Sequence, residues 1–269
     1  MIAKIENLKD LIKNYTSAIV AYSGGIDSTL LCYFANEVLA DKFLAVITTS
    51  ETLTEEEIQT ATDIAKRYDW PLLKIKSQEL EEEIFIQNNA DKCKWCKDIK
   101  IREIKRIARE KGFKEIITGD NLDDLKDYRP GFKHAQTLGV KSPFIDANIN
   151  KQEIRAISKE IGLPNYEKPS TPCLASRIPY GIRITKENLK KVEAAEFFIK
   201  SLGYNVVRVR HEENTAKIEI EKGHLAHFTS THSEIVVEKL KEIGYTYVVL
   251  DLQGYKVGNL NKVLKTHEA

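Results

Sequence analysis

The fold is decided by the stretch Ser17-Ala-Ile-Val-Ala-Tyr-Ser-Gly-Gly-Ile-Asp-Ser-Thr29. Residues 17–22 are mostly apolar and include β-branched side chains, which is typical of a buried strand. Residues 23–28 then form a glycine-rich turn, and the apolar periodicity of residues 29–39 predicts a helix. This order predicts an anion site, because glycines let backbone N–H groups approach phosphate oxygens and the helix N-terminus adds partial positive charge.

The side chains of the turn add contacts that a bound phosphate would use. The predicted phosphate contacts are Ser23, Gly24, Gly25, Ser28 and Thr29. Asp27 would repel a bare phosphate, so we expect it either to hold a Mg²⁺ ion that bridges a polyphosphate or to cap the helix. The Walker A pattern needs a lysine after its last glycine, and this turn has none. The alternative interpretation is a turn that merely joins a strand to a helix.

Strands and helices alternate through the first half of the chain. Strands are predicted at residues 17–22, 43–48, 72–76 and 115–118, and helices at 5–15, 29–39, 54–68 and 98–111. Such alternation predicts a parallel sheet with helices on both faces. Thr54 and Glu57 have the spacing of a capping box at the start of a helix. Residues 120–180 are rich in Gly, Pro, Asp and Asn, with one predicted helix at 151–161, and are typical of site-forming loops.

The C-terminal part follows a different order. Helices are predicted at 186–201 and 233–243, and strands at 204–209, 216–220 and 246–250. We therefore expect an α/β fold class with two domains. A parallel-sheet domain covers residues 1–180, and a smaller α+β domain at 181–269 serves substrate binding or oligomerisation.

The charge of the chain is nearly balanced. Its 41 Lys plus Arg against 40 Asp plus Glu give a net charge of +1, so no long-range field attracts nucleic acid or an anionic membrane. No stretch reaches the roughly 20 apolar residues of a membrane span, and the N-terminus lacks the apolar core of a signal peptide. We expect a cytoplasmic protein whose partners include neither nucleic acid nor a membrane.

The cysteines point to metal or redox chemistry. In a reducing compartment the four cysteines are not expected to form a disulfide framework. Cys93 and Cys96 form a C-x-x-C pair, and Cys173 lies in a later loop. Three thiolates are one short of a Cys₄ site, so a 4Fe-4S cluster held by them would keep one iron open. Alternatives are a zinc site completed by His or water, a redox disulfide, and chance. Cys32, on the apolar face of its helix, is expected in the core.

Residues 23–28 resemble the SGGxDS signature of the PP-loop, or N-type, ATP pyrophosphatases. The resemblance implies an adenine nucleotide alpha hydrolase-like fold, ATP and Mg²⁺ as cofactors, cleavage of ATP between its α and β phosphates, and an adenylylated intermediate. It also implies that adenine lies near Thr48, Thr49 and Ser50 at the carboxyl ends of the strands. Asp120 follows the strand at 115–118 and lies at the same edge, where it could hold Mg²⁺. A solvated acidic turn is the alternative.

A second segment indicates a narrower family. Residues 172–181, Pro-Cys-Leu-Ala-Ser-Arg-Ile-Pro-Tyr-Gly, resemble the P-C-L-x-S-R-I-x-Y-G segment of LarE-type ATP-dependent sulfur transferases, and residues 127–131 and 207–211 resemble other parts of that family. These enzymes help to make the nickel-pincer nucleotide cofactor of lactate racemase. They convert the carboxylates of pyridinium-3,5-biscarboxylic acid mononucleotide into thiocarboxylates.

The family resemblance implies two sulfur sources. Some members sacrifice the sulfur of one cysteine, for which Cys173 is the matching position. Others carry two further cysteines and use a 4Fe-4S cluster with an extra sulfide. Because Cys93 and Cys96 are present, the chain resembles the second type.

The residues and the resemblance together assign a set of roles. The expected catalytic residues are Asp27, Cys173 and Arg177, the expected cluster ligands are Cys93, Cys96 and Cys173, and the expected substrate contacts are Ser176, Arg177, Glu196, Arg208 and Arg210. Glu196 matches a family position near this site. Arg208 and Arg210 alternate along one predicted strand, so they face the same side and suit a phosphate of a small-molecule nucleotide. A solvated sheet face is the alternative. We also expect a homo-oligomer, in which these arginines could serve a neighbouring subunit.

Two rival functions stay open at this level. A tRNA-thiolating PP-loop enzyme also combines the loop with three cysteines, although tRNA binding needs a basic face. A non-catalytic module that binds an adenine nucleotide is the other. The source of sulfur that would recharge the enzyme is not specified.

Overall fold

The computed structural model describes residues 1–125, 130–169, 171–256 and 259–261. They form two compact units. The first unit consists of Met1–Glu79 and Cys93–Thr171, and the second of Leu80–Lys92 and the chain from Pro172 onward. The resemblance at residues 127–129 lies outside the described residues. No helix in the described ranges is both long and apolar enough to span a membrane.

The first unit is built on a four-stranded parallel sheet. Its strands are β1 (Ala18–Ala21), β2 (Phe43–Thr49), β3 (Leu72–Lys76) and β4 (Glu115–Ile117). They lie in the order β3-β2-β1-β4, and every neighbouring pair is parallel. The predicted parallel sheet is therefore confirmed. Ala18 pairs with both Phe43 and Glu115, so the carboxyl ends of β1, β2 and β4 lie at one edge.

Helices pack on both faces of this sheet. The helices of this unit are α1 (Ile2–Asn14), α2 (Ile26–Leu39), α3 (Glu55–Arg67), α5 (Lys92–Lys111), α6 (Pro130–Thr137), α7 (Pro143–Asp146) and α8 (Lys151–Glu160), whereas α4 (Glu83–Ile86) belongs to the second unit. Ile19 and Val20 are neighbours on β1 but belong to two different hydrophobic cores. The sheet is thus buried on both sides, which explains why β1 has a continuous apolar sequence instead of an alternating one.

The helices up to residue 171 differ from the sequence prediction at the start of α5 and in the additional short helices α4, α6 and α7. Helix α5 begins at Lys92, whereas the prediction began at residue 98, so the C-x-x-C pair lies in its first turns. No Gly or Pro interrupts residues 92–98, and the helix continues through them. Helices α6 and α7 occur where loops were predicted. Pro143 occupies the first turn of α7, a position where proline is favoured and which could have indicated a helix start.

The second unit contains a mixed three-stranded sheet. Strands β5 (Val207–Glu212) and β6 (Thr215–Ile220) are antiparallel, and β6 is parallel to β7 (Tyr247–Leu250). The accompanying helices are α9 (Lys186–Ser201), α10 (Leu225–Thr231) and α11 (Ser233–Ile243). The predicted order of helix, two strands, helix and strand is present, with α10 as an additional helix. The core of the unit includes Val207, Val209 and Leu240.

Candidate active site

The glycine-rich turn after β1 has a backbone that only glycine accommodates. Gly24 has φ +72°, and a Cβ atom there would lie 2.6 Å from the Cβ of Ala61 on α3. Gly25 is the N-cap residue of α2. The Ser23 backbone N–H donates to Ser28 Oγ at 3.1 Å, so the turn closes over the helix N-terminus. This is the geometry that the anion-site prediction requires.

The loop after β4 approaches the same helix end. A Cβ atom on Gly119 would lie 2.8 Å from both the carbonyl carbon of Asp27 and the backbone nitrogen of Ser28. Because β1 and β4 are adjacent parallel strands, the loops at their carboxyl ends meet at this edge. Glycine at position 119 therefore allows the two loops to be in direct contact.

A cavity of about 390 Å³ opens where these loops meet. Its lining includes Ser23, Asp27, Ser28 and Asp120 from the predicted nucleotide contacts, together with Lys97, Thr118, Gly119, Asn121, Asp123, Asp124 and Lys151. Gly24, Gly25, Thr29, Thr48 and Thr49 are not among the lining residues. The cavity is thus formed by the glycine-rich turn, the loop after β4 and two lysines.

Asp27 points into this cavity and is paired there. Its Oδ2 accepts from Lys151 Nζ at 2.5 Å, and its Oδ1 accepts from Asn121 Nδ2 at 3.3 Å. The N-cap of α2 is Gly25, without a side-chain cap, so Asp27 does not serve as the cap that was one of its two expected roles. A metal ion bound at this carboxylate would replace Lys151 as its partner.

Two lysines from other parts of the chain bring positive charge to the cavity. In a Walker A loop, this charge comes from a lysine within the loop itself. Lys151 opens α8, directly after Asn150, which forms a capping box with Glu153. Lys97 lies on α5, with its Nζ 3.9 Å from Asp120 Oδ2. Neither lysine was among the predicted site residues, because both are far from the glycine-rich turn in the sequence. The capping box could have placed Lys151 at a helix start, but not at this cavity.

The carboxylates of the cavity suit a magnesium ion that arrives with ATP. Asp120 accepts from Thr118 Oγ1 at 2.6 Å, and Asp124 accepts from the Asn121 backbone N–H at 2.9 Å. Within the described part of the chain, no three His, Cys, Asp or Glu side chains form a group able to hold a metal. Mg²⁺ usually takes only one or two protein carboxylates together with phosphates and water. Asp27 and Asp120 fit that pattern.

Thr29 lies behind the turn instead of in the cavity. Its side chain is buried, and its Oγ1 accepts from Asn165 Nδ2 at 2.9 Å. The same amide group donates to the Gly24 carbonyl oxygen at 2.9 Å. Thr29 and Asn165 therefore support the turn from the protein interior, a role that differs from the predicted phosphate contact.

The predicted adenine residues lie at the carboxyl end of β2. Thr48 is in register with Ile75 of β3, and Thr49 Oγ1 donates to the Ile75 carbonyl oxygen at 3.3 Å. Ser50 Oγ donates to the buried carboxylate of Glu79 at 2.5 Å. The hydroxyl groups of Thr49 and Ser50 therefore form hydrogen bonds within the protein, and they stabilise this edge of the sheet.

The C-x-x-C pair lies on a helix. Cys93 and Cys96 are three residues apart in α5 and therefore share a helix face. Cys93 is exposed and Cys96 is partly exposed, and no disulfide links them in the described structure. Cys32 is fully buried, as predicted, and burial raises the pKa of its thiol.

In the second unit, Arg177 holds the loop that carries Cys173. Cys173 is partly exposed and precedes a short 3₁₀ helix, Leu174–Arg177. The Arg177 side chain is buried, and its Nε and Nη2 each donate to Glu196 at 2.9 Å. Its Nη1 donates to the carbonyl oxygens of Pro172 and Cys173 and to Ser176 Oγ. The guanidinium is therefore engaged with protein atoms, which differs from the expected substrate contact.

The two strand arginines share a face but differ in their partners. Val207 and Val209 point into the core, so Arg208 and Arg210 lie on the opposite face of β5. Arg210 pairs with Glu219 at 2.7 Å and donates to the Ser176 carbonyl oxygen at 2.8 Å.

Arg208 has a backbone partner instead, since its Nη1 donates to the Val207 carbonyl oxygen at 2.6 Å. Its guanidinium lies 5.2 Å from the centroid of the Tyr255 ring, and it forms no carboxylate salt bridge with any residue described. Burial and the nearby charge of Arg177 lower the pKa of Arg208. Of the two strand arginines, Arg208 is therefore the better placed to bind an anion.

Comparison with known proteins covers both units. Residues 3–115 match the family model described as NAD synthase. An uncharacterised protein of Synechocystis sp. is 38% identical over 263 residues, 97% of this chain and 98% of its own length. Pyridinium-3,5-bisthiocarboxylic acid mononucleotide synthase of Lactiplantibacillus plantarum is 33% identical over 254 residues, 94% of this chain and 92% of its own. An uncharacterised protein of Methanocaldococcus jannaschii is 32% identical over 250 residues, 93% and 94% of the two chains.

Proposed function

Because the chain belongs to the LarE-type family of ATP-dependent sulfur transferases, within the PP-loop superfamily, we propose that it converts the carboxylates of pyridinium-3,5-biscarboxylic acid mononucleotide into thiocarboxylates. The product would be the precursor of the nickel-pincer nucleotide. The observation that carries the proposal is the similarity to the L. plantarum synthase along nearly the whole chain. The cavity at the glycine-rich turn supports it, since it combines backbone donors, lysines and carboxylates.

In the first step, a substrate carboxylate oxygen attacks the α phosphorus of ATP. The bond to the β phosphate breaks, pyrophosphate leaves, and an acyl adenylate forms. The nucleophile is already ionised, so no protein base is needed. Backbone amides of the turn, together with Lys97 and Lys151, would stabilise the charge on pyrophosphate, and Asp27 and Asp120 would hold Mg²⁺.

In the second step, sulfur attacks the activated carbonyl carbon and AMP leaves. With Cys173 as donor, its thiolate forms a thioester with the substrate. Loss of the Cα proton and cleavage of the Cβ–S bond then release the thiocarboxylate and leave dehydroalanine at position 173. This version consumes one cysteine sulfur for each carboxylate converted.

The other version uses a 4Fe-4S cluster held by Cys93, Cys96 and Cys173. When bound, such a cluster would carry an extra sulfide on its open iron and supply it for the exchange. Cys93 and Cys96 fit as two ligands, because they lie on one helix face and are accessible. The described residues do not form a three-ligand group. The cluster therefore rests on the family resemblance.

The substrate phosphate is proposed to bind at Arg208. Its guanidinium is half-buried beside Arg177 and Arg210, whose charges are compensated by Glu196 and Glu219. Of these three arginines, Arg208 is the one without a carboxylate salt bridge among the residues described, so its positive charge is proposed to bind the phosphate. We also propose that residues 181–269 join copies of the chain into a homo-oligomer, which sedimentation velocity would test.

The test of the proposed function is an anaerobic reaction with ATP, Mg²⁺ and the biscarboxylate mononucleotide. We expect pyrophosphate release that depends on the mononucleotide, and a thiocarboxylate product detected by mass spectrometry. Lys151→Met should lower the rate of pyrophosphate release by roughly a hundredfold, the scale for loss of one charge-stabilising group. Lys159→Met, on the exposed end of the same helix, is the matched control.

Two outcomes would replace the proposal. ATP binding without pyrophosphate release would favour a nucleotide-binding module. Tight tRNA binding at low salt, with thiolated tRNA as product, would favour a tRNA thiolase.

A further inference from the structure

We infer that Lys92 and Asn88 are positioning residues for Cys173. They hold the loop that carries this cysteine, whether Cys173 donates its own sulfur or ligates a cluster. The inference rests on the proposed function for its chemistry, but its geometry lies within the second unit. Residues 80–92 pack with the chain after Pro172 in that unit. Lys92 also directly precedes Cys93 in the sequence.

Asn88 binds the main chain of the Cys173 loop. It is fully buried and has φ +58°, a conformation that asparagine tolerates better than most residues. Its Nδ2 donates to the carbonyl oxygens of Pro179 and Ile182, both at 2.7 Å. Its own carbonyl oxygen accepts from the Gly181 backbone N–H at 3.2 Å. One buried side chain therefore fixes the path of the loop after the 3₁₀ helix.

Lys92 binds the same loop closer to the cysteine. Its side chain is buried, and its Nζ donates to Asn88 Oδ1 at 2.5 Å and to the Ala175 carbonyl oxygen at 3.1 Å. The Nζ also lies 4.7 Å from the centroid of the Tyr180 ring, within range of a cation–π interaction. Burial of an ammonium group is costly unless such partners compensate it. Asn88 supplies one of them, and Ala175 and Tyr180 of the loop supply the others.

The Cys173 loop is thus held from two sides. Arg177, which is held by Glu196, donates to the Cys173 carbonyl oxygen, and Lys92 donates to the carbonyl oxygen of Ala175, two residues later. Sulfur transfer requires the thiol, or the group it ligates, to be in attack geometry, and a displacement of about 1 Å can cost about a hundredfold in rate. The proposed contacts to ATP and Mg²⁺ lie in the first unit, outside this loop.

The test compares Lys92→Met with the wild-type full chain. We expect substrate-dependent pyrophosphate release to be retained, while thiocarboxylate formation falls by about a hundredfold. Alkylation of Cys173 by iodoacetamide, followed by peptide mass spectrometry without substrate, should become several-fold faster because the loop loosens. Lys105→Met, a partly exposed lysine on the same helix, should leave both measurements unchanged.

Asn88→Gly is the second variant. Glycine accepts the positive φ and removes only the side-chain hydrogen bonds, so it decides the question if Lys92→Met does not fold. The inference would be overturned if the folded variants had the wild-type rates of Cys173 alkylation and thiocarboxylate formation. It would also be overturned if pyrophosphate release and thiocarboxylate formation fell by the same factor. If the wild type releases no pyrophosphate, the proposed function fails, and the alkylation rates still test the positioning role.

Discussion

At the scale of single residues, the site depends on positions where one residue type alone fits. Gly24 has a positive φ and lies against Ala61, while Gly119 lets the loop after β4 contact Asp27. Both glycines are needed for close approach of backbone, which is how a protein presents N–H groups to phosphate. Arg208 and Arg210 alternate along one strand and are equivalent in the sequence pattern. They differ in the structure, because only Arg210 forms a salt bridge with a carboxylate among the residues described.

Gly24→Ala should weaken both the fold and ATP binding. An alanine would meet Ala61 at a distance that no Cβ atom normally has, and it would also have to adopt φ +72°. We expect a loss of on the order of 1–3 kcal/mol or more in the free energy of unfolding, measured by urea denaturation, and weaker nucleotide binding by calorimetry. Gly112→Ala is the matched control, because its φ is +75° and nothing lies within 4 Å of its Cβ position. Equal effects of the two substitutions would contradict the clash at Gly24.

Arg208→Met and Arg210→Met should have different effects. Arg208 has no carboxylate salt bridge among the residues described, so its loss should raise KM for the mononucleotide about tenfold or more while the fold stays intact. Arg210 and Glu219 form a buried pair, so Arg210→Met should lower the free energy of unfolding by about 3 kcal/mol. Steady-state kinetics and urea denaturation measure the two effects. An unchanged KM in Arg208→Met would remove this residue from the phosphate site.

At the scale of secondary-structure elements, helix α5 connects two parts of the first unit. Its first turns carry Cys93 and Cys96, and Lys100, one turn further, reaches Glu79 beyond the end of β3. Glu79 is fully buried and accepts from Ser50 and Thr52 after β2. The helix with the C-x-x-C pair is therefore anchored to the sheet edge proposed for adenine.

Glu79→Gln should destabilise the protein at neutral pH but not in acid. Burial favours the neutral carboxyl, but the charge of Lys100 and the Ser50 hydrogen bond outweigh it, so the pKa of Glu79 is lowered. Since the folded pKa lies below the unfolded value of roughly 4.3, the ionised form stabilises the fold at neutral pH, and this contribution is lost as the pH falls through the folded pKa. We expect a loss of about 1–3 kcal/mol at pH 7.

Urea denaturation across the pH range measures this effect. The difference between wild type and Glu79→Gln should shrink below pH of about 4. Glu103→Gln removes a solvent-exposed pair with Arg106 and should leave the free energy of unfolding nearly unchanged at every pH. A constant difference between wild type and Glu79→Gln at all pH values would show that the carboxylate charge is not responsible.

At the scale of the whole molecule, the residues proposed for the chemistry belong to two units. The nucleotide cavity and the C-x-x-C pair belong to the first unit, whereas Cys173, Arg177 and the strand arginines belong to the second. We therefore expect some substitutions to impair sulfur delivery while ATP binding is retained. The proposed cluster would take its ligands from both units.

Cys93→Ala, Cys96→Ala and Cys173→Ala should each lower the iron bound after anaerobic reconstitution with iron and sulfide. Each removes one of three proposed ligands, and a 4Fe-4S cluster with only two protein ligands is not expected to persist. Iron analysis and the visible absorption spectrum provide the measurement. Cys32→Ala is the control, because Cys32 is buried in the core. Colourless wild-type protein, together with dehydroalanine at position 173 after turnover, would support the sacrificial version instead.

Local sequence patterns were sufficient for the parallel sheet, the glycine-rich turn and the capping box at Thr54 and Glu57. Each depends on neighbouring residues, such as the apolar run of β1 or the spacing of a cap and its partner. The family resemblance added the substrate class. The early start of α5 was missed, because the charged residues around the C-x-x-C pair give little apolar periodicity.

Tertiary packing alone decided which charges meet. Lys151 reaches Asp27 across 124 residues of chain, and Asn165 supports Gly24 from across 141 residues. Similarly, Arg177 is engaged by Glu196, and Lys92 by the Cys173 loop. A sequence pattern reports which side chains share a face of one element. Partners from distant elements are selected by how those elements pack, and that depends on the whole set of buried contacts.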